Sequence, residues 1–179
     1  MKFGELKKHL DSCLSGDKFC AAYIVTGDDD YLVSSAIKSF KNLVAPEYAD
    51  FNLSVISGDG AVSAAVDSAY TFPVFDERKV VVLSLENALG ESDKNLLDKY
   101  LTEPSDTTVL VISCPEDVAK TIKSKKAQTV DCSKLAGDEL HSMIERLCNE
   151  PPSISIERAA VGELVDRTQG NMSRIVSEI

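Results

Sequence analysis

Residues 69–83 read AYTFPVFDERKVVVL, and the way this stretch divides sets the fold class. Upstream, Val62, Ala65, Val66 and Ala69 fall at helical spacing, and at its end Val80, Val81 and Val82 form an unbroken β-branched run. Between them stand Phe72, Val74 and Phe75, bent about Pro73 and followed by Asp76, Glu77, Arg78 and Lys79. Proline fixes φ and drives the preceding residue toward extended geometry, so the helix is expected to stop before it. The unit is helix, turn, strand. Its turn carries large apolar side chains where connections usually run over the surface. Two readings are open from the residues: the side chains fold under the helix as core, as large apolar residues mostly do, or they form an exposed tip that fits a partner's pocket.

The same alternation extends outward in both directions. Residues 21–26 (AAYIVT), 51–57 (FNLSVIS), 80–83, 108–113 (TVLVIS) and 128–131 read as strands. Helical stripes lie between them: Phe3, Leu6, Leu10 and Leu14; Leu32, Val33, Ala36, Ile37, Phe40, Leu43 and Val44; residues 61–70; Leu96, Leu97, Tyr100 and Leu101, with Ser92 as the expected cap; and a weaker helix over 117–123. Strands that alternate with helices predict a parallel, layered α/β sheet, because each parallel connection needs a crossover. After Cys132 only helical stripes follow. Leu140, Met143, Ile144 and Leu147 form one, stopped by Pro151-Pro152; Ile156, Ala160, Leu164 and Val165 form a second, with Ser155 as cap and Gly170 at its end; Met172, Ile175, Val176 and Ile179 form a third, capped by Asn171. Residues 1–132 are therefore expected to form the α/β domain and residues 133–179 a small helical lid. The last stripe is still running at Ile179, so the chain is expected to be part of a longer one.

The 179 residues are 44% hydrophobic and 27% charged, ordinary values for a globular protein with a real core. No apolar run approaches the ~18–20 residues that span a bilayer, and the charged N-terminus lacks a secretory apolar segment, so a cytoplasmic protein is expected. Cys13, Cys20, Cys114, Cys132 and Cys148 show no pairing pattern, and His9 and His141 stand far apart. This fits buried thiols in a reducing compartment better than a disulfide framework or zinc site. A net charge of −10 and a pI near 4.7 give no surface that attracts DNA by itself. Protein partners, or DNA contact within a larger basic assembly, are expected instead.

An α/β domain with a helical lid calls for a test of phosphate binding. A phosphate loop needs G-x-x-x-x-G-K-[ST] after the first strand, so that glycine amides and the lysine cradle the phosphates. Counted from Gly27, the second Gly, the Lys and the Ser/Thr fall on Leu32, Val33 and Ser34, and only the last fits. Asp28, Asp29 and Asp30 stand where a phosphate would sit; they satisfy the helix dipole themselves and repel an anion. A metal-holding Asp after residues 80–83 is also lacking, since Ser84 and Leu85 follow and Glu86 is out of step. No catalytic site, cofactor or metal is expected. Glu47, Asp50, Asp59, Glu86 and Glu91 near strand ends read as solvated surface, and Lys120, Lys123, Lys125 and Lys126 as lysines near a helix end rather than a phosphate site.

Three motifs in order carry a resemblance. Tyr23 to Leu32 (YIVTGDDDYL) matches Y-h-h-x-G-[DE]-[DE]-x-[YF]-L, where h is apolar; Pro73 to Val82 matches P-h-F-x-x-[RK]-[RK]-h-h-h; and Leu164, Thr168, Gly170, Asn171, Ile175, Glu178 and Ile179 match a closing L-x-x-x-T-x-G-N-x-x-x-I-x-x-E-I. In these the chain resembles the delta subunit of the bacterial DNA polymerase III clamp loader. The resemblance implies an AAA+-like, P-loop-type parallel sheet flanked by helices and followed by a lid, with a helical collar domain lacking here. It implies a non-ATPase subunit that opens the β sliding clamp during DNA replication. Its clamp-binding wedge would be Val74 and Phe75 with Phe72 as accessory contact, which favours the exposed tip. The implied partners are the β clamp, the gamma/tau and delta-prime subunits through the collar, and primer-template DNA only within the complex. Two alternatives are a delta-prime-type component, whose arginine motif Ser113-Cys114-Pro115 lacks, and a degenerate NTPase with an unrecognised nucleotide site.

Overall fold

Hydrophobic periodicity sorts the chain into a layered sandwich, seen in the computed structural model, which describes residues 1–149 and 156–179. The elements are α1 (Phe3–Leu14), β1 (Ala22–Thr26), α2 (Asp30–Lys41), a 3-10 turn (Pro46–Tyr48), α3 (Ala49–Asn52), β2 (Leu53–Ser57), α4 (Ala61–Tyr70) and β3 (Lys79–Ser84). They continue with α5 (Glu91–Thr102), β4 (Thr108–Ser113), α6 (Glu116–Ala119), β5 (Ala127–Asp131), α7 (Gly137–Asn149), α8 (Arg158–Thr168) and α9 (Met172–Glu178). The strands form one five-stranded sheet in the order β2-β3-β4-β1-β5, and every pairing is parallel. The α/β parallel sheet flanked by helices is the expected class.

Side chains alternate across a strand, so each valine run feeds both faces of the sheet. Tyr23, Val25, Val80, Val82, Val109, Val111 and Val130 point to the layer that holds α1, α2 and the C-terminal helices. Ala22, Ile24, Val81, Leu83, Leu110 and Ile112 point to the layer of α4, α5 and α6. Burial on both faces is what makes β3 and β4 near-continuous apolar runs. Each such Val, Ile or Leu contributes roughly 1.5–3 kcal/mol on burial. Leu140, Met143, Ile144, Cys148, Val161, Met172 and Ile175 join the first layer, so residues after Cys132 close over the same sheet face as α2.

The sheet edges are managed differently. The backbone of residues 1–2 bonds along β5, with Met1 donating to the Thr129 carbonyl and Asp131 N–H to the Met1 carbonyl. β2 is an edge strand kept short, five residues with two serines.

Several boundaries differ from the sequence reading. Phe51 and Asn52 end α3 instead of opening β2: the Leu53 N–H bonds back to the Ala49 carbonyl, and pairing with β3 starts only at Leu53. Helix α5 starts at Glu91 behind Gly90, which places Ser92 inside the first turn and not at the cap. α6 is a single turn, four residues long. The cap of α8 is Glu157, and Gln169 takes the left-handed conformation at its end (φ 56°), with Gly170 after it. Pro151-Pro152 as a stop and Ser155 as a cap lie outside the described residues. Asn171 caps as read, its side chain accepting the Arg174 N–H at 3.0 Å, and of the three aspartates that open α2 it is Asp29 that caps, accepting the Leu32 N–H at 3.1 Å.

The cysteines are packing residues. Burial pushes the thiols of Cys114 and Cys132 up to about 11 and about 12, and raises those of Cys13 and Cys148. Cys20 alone is not buried. Because the thiolate is the reactive form, a thiol reagent at pH 8 is expected to modify Cys20 first and to reach Cys114 and Cys132 only after denaturation. Mass spectrometry of native and unfolded protein checks this; rapid native labelling of Cys132 would contradict the packing.

Candidate functional site

In an all-parallel sheet the two ends of the strands are chemically distinct places. Gly27–Asp30 follows the carboxyl end of β1, where α/β folds bind ligands. The turn carrying Phe72, Val74 and Phe75 precedes the amino end of β3 and so lies on the opposite edge.

At the carboxyl end, the loop after β1 is bonded to the segment that follows β5. Asp29 is 7% exposed and gives its carboxylate to the first turn of α2. Its N–H bonds the Cys132 carbonyl at 3.3 Å, and the Cys132 N–H bonds the Thr26 carbonyl at 2.7 Å. The Lys134 N–H donates to the Asp28 carboxylate at 2.8 Å. Gly27 (φ 155°) is so close to this strap that a Cβ would lie 2.1 Å from the Cys132 carbonyl carbon. What remains is an open cleft of about 410 Å³ lined by Asp28, Asp30, Lys134, Asn171 and Arg174 among others. Asp59, Glu86 and Glu91 lie exposed at the same end of the sheet, and Glu47 and Asp50 exposed at the other. Among the described residues no three or more His, Cys, Asp or Glu side chains form a group that could hold a metal. Of the lysine cluster, Lys120 pairs with Glu116 at 2.8 Å and Lys126 donates to the Thr102 carbonyl, leaving both engaged within the fold.

The opposite edge carries the tip. α4 ends where the Thr71 N–H and hydroxyl both bond the Ser68 carbonyl, the hydroxyl at 2.7 Å. Pro73 follows and has no N–H to continue the helix. Phe72 is 81% exposed, Phe75 80% and Val74 40%. The apolar side chains stand in solvent instead of folding under α4, whose inner face is filled by Val62, Ala65, Val66 and Ala69. Phe75 is left-handed (φ 58°), a conformation that costs an L-residue roughly 1–2 kcal/mol and persists only when its surroundings impose it.

Three contacts brace the tip. At its base Lys79, buried at the start of β3, donates its Nζ to the Thr71 hydroxyl at 2.6 Å; desolvation holds this ammonium below the usual lysine range. On its far side Arg78 lies over the Phe19 ring, 4.2 Å from the centroid. In its middle Asn52, fully buried, bonds the Val74 backbone twice. Phe51, next to Asn52, is 58% exposed and adds apolar surface at this edge. Neither residue stood out in the sequence, where both read as the start of a strand. The one signal was a polar Asn at the head of an apolar run.

No helix among the described residues is long and apolar enough to cross a membrane. A family model described as DNA polymerase III, delta subunit, matches residues 23–133, more than half of the chain. Among solved structures, the chain is similar to the Bacillus subtilis DNA clamp loader delta protein, with a TM-score of 0.74 and 24% identity over 97% of this chain and 55% of that one. It is also similar to a DNA polymerase III gamma subunit-related protein from Thermotoga maritima, with a TM-score of 0.52 and 17% identity over 82% of this chain and 51% of that one. The chain thus spans about half the length of each of these two structures. No curated protein matches its sequence.

Proposed function

The chain belongs to the DNA polymerase III delta-subunit family, and from that premise we propose that it binds the β sliding clamp through Phe72, Val74 and Phe75 and opens the ring during DNA replication. The observation that carries this reading is the tip itself: two phenylalanines about four-fifths exposed, on a braced turn at the amino end of the sheet. Large exposed apolar side chains are costly to leave in water and mark contact sites. Burying two of them in a pocket gives roughly 1.5–3 kcal/mol each. Binding alone does not open a ring. The tip must bind the sprung clamp more tightly than the closed one, since only differential affinity shifts an equilibrium. Titration of the cognate β clamp with this chain tests the reading; no binding at tens of micromolar would sink it.

We read residues 1–132 as the AAA+-like domain and residues 133–179 as the lid. Contacts with gamma/tau and delta-prime, which the resemblance attributes to a collar, are placed outside these residues. DNA is placed within the assembled loader, in keeping with the net charge of −10.

In this role the subunit does not turn over ATP. The support is the strap at residues 132–134, which bonds Thr26, Asp28 and Asp29 where a phosphate loop would hold nucleotide. ATP or ADP with Mg²⁺ at 1 mM is expected to raise Tm by no more than about 1 °C, because a ligand of the native state must stabilise it. A saturable rise of several degrees would favour a nucleotide-binding subunit instead.

A further inference from the structure

The tip is held by a residue that is no part of it. Asn52 ends α3, is fully buried, and lies 22 positions before Val74 in the chain. Its Nδ2 donates to the Val74 carbonyl at 2.8 Å, and its Oδ1 accepts from the Val74 N–H at 2.7 Å. The amide orientation is fixed by chemistry: turned over, it would set donor against donor and acceptor against acceptor. A single side chain therefore satisfies both backbone groups of one loop residue, as a neighbouring strand would. The next residue is Phe75, the left-handed one. Val74 is thus the fixed point from which the strained turn leaves.

We propose that Asn52 is the positioning residue of the clamp-binding tip: its amide clamps the Val74 backbone and holds Phe75 preformed for docking. This rests on the reading of residues 72–75 as the clamp contact. A loop ordered before binding pays less ordering entropy on docking, so affinity depends on a residue the clamp never touches. Threonine, serine or aspartate at position 52 could offer at most part of the pair. Asparagine matches a backbone N–H and C=O together because its side chain is itself an amide.

The test compares clamp binding by wild type, Asn52→Ala, Asn52→Asp and Phe75→Ala. Asn52→Ala is expected to bind about 10-fold more weakly while remaining folded, since the docking surface is unchanged and only its order is lost. Asn52→Asp carries its own control. Ionised, the new carboxylate accepts from the Val74 N–H but repels the Val74 carbonyl; protonated, it regains a donor. Its affinity relative to wild type at the same pH is therefore expected to recover as pH falls from 8 toward 5, which a loss of packing alone would not produce.

A loss of about 100-fold in Phe75→Ala beside wild-type binding by a folded Asn52→Ala overturns the positioning role and leaves the wedge. Wild-type binding by Phe75→Ala overturns the wedge and the positioning role with it. Should the position 52 variants not fold, amide exchange in the wild-type protein decides: the Val74 N–H is expected to exchange well behind that of Phe75, and equally fast exchange at both overturns the proposal.

Discussion

Phe75→Ala is expected to lower affinity for the cognate β sliding clamp about 100-fold, the size of a loss at a central interface aromatic of 2 kcal/mol or more. Replacing Val74 as well is expected to bring binding below detection. The reasoning separates binding from folding. Phe75 is 80% exposed, so its ring contributes little to the core, and its removal leaves the Asn52 clamp on the Val74 backbone intact. The thermal midpoint is expected to stay within about 2 °C of wild type, as for surface substitutions generally. Phe75→Gly sharpens the point, since glycine adopts the left-handed φ of 58° without steric cost. It is expected to lose binding as completely as alanine does, with no loss of stability. Calorimetric titration and a thermal melt on the same samples check both halves. A mutant that binds normally, or one that unfolds, contradicts the assignment of the tip.

Gly27→Ala is expected to have the largest effect on the fold. An ideal Cβ at this position would lie 2.1 Å from the Cys132 carbonyl carbon, 2.2 Å from its oxygen and 2.5 Å from the Ser133 nitrogen. Those are backbone atoms and cannot rotate away. They belong to the strap whose Cys132 N–H bonds Thr26 and whose carbonyl takes the Asp29 N–H, so relief would break the join between β1 and the segment after β5. A loss of roughly 3 kcal/mol or more is expected from overpacking against main chain. For a chain of this size that is a fall in Tm of about 6–12 °C. Gly162→Ala is the control: nothing lies within 4 Å of its Cβ position, and it sits inside α8. Alanine there is expected to be neutral or mildly stabilising. Equal melting of both variants would contradict the close contact.

The centre of the sheet was legible because β1, β3 and β4 are buried on both faces. Residues 80–83 and 108–113 could hardly be anything else, and the helices between them force parallel pairing. The tip was legible as a position and not as a surface. Pro73 announced where α4 stops, but whether Phe72 and Phe75 turn in or out depends on whether small residues already fill the helix's inner face, as Ala65 and Ala69 do. Composition alone favours burial. The resemblance to delta subunits favoured the exposed alternative that the residues had left open.

What could not be read was tertiary. Asn52 acts across 22 residues and Gly27 across more than 100, and no local pattern encodes either contact. Asn52 was hidden for a further reason, since FNLSVIS alternates well enough to pass as one strand while its first two residues belong to α3. The departure from the phosphate-loop motif was legible at Leu32 and Val33 and in the three aspartates. The structure adds what those residues do: Asp29 caps α2, and Thr26, Asp28 and Asp29 bond the strap at residues 132–134.

Ring opening itself is the most direct test of the account. Two dyes placed on either side of one subunit interface of the cognate β clamp quench each other while the ring is closed. The wild-type chain is expected to relieve that quenching in step with binding, and Phe75→Ala to leave it unchanged. Saturating binding by the wild-type chain with the dyes still quenched would mean that the tip docks on the clamp without opening it, and would contradict the proposed function.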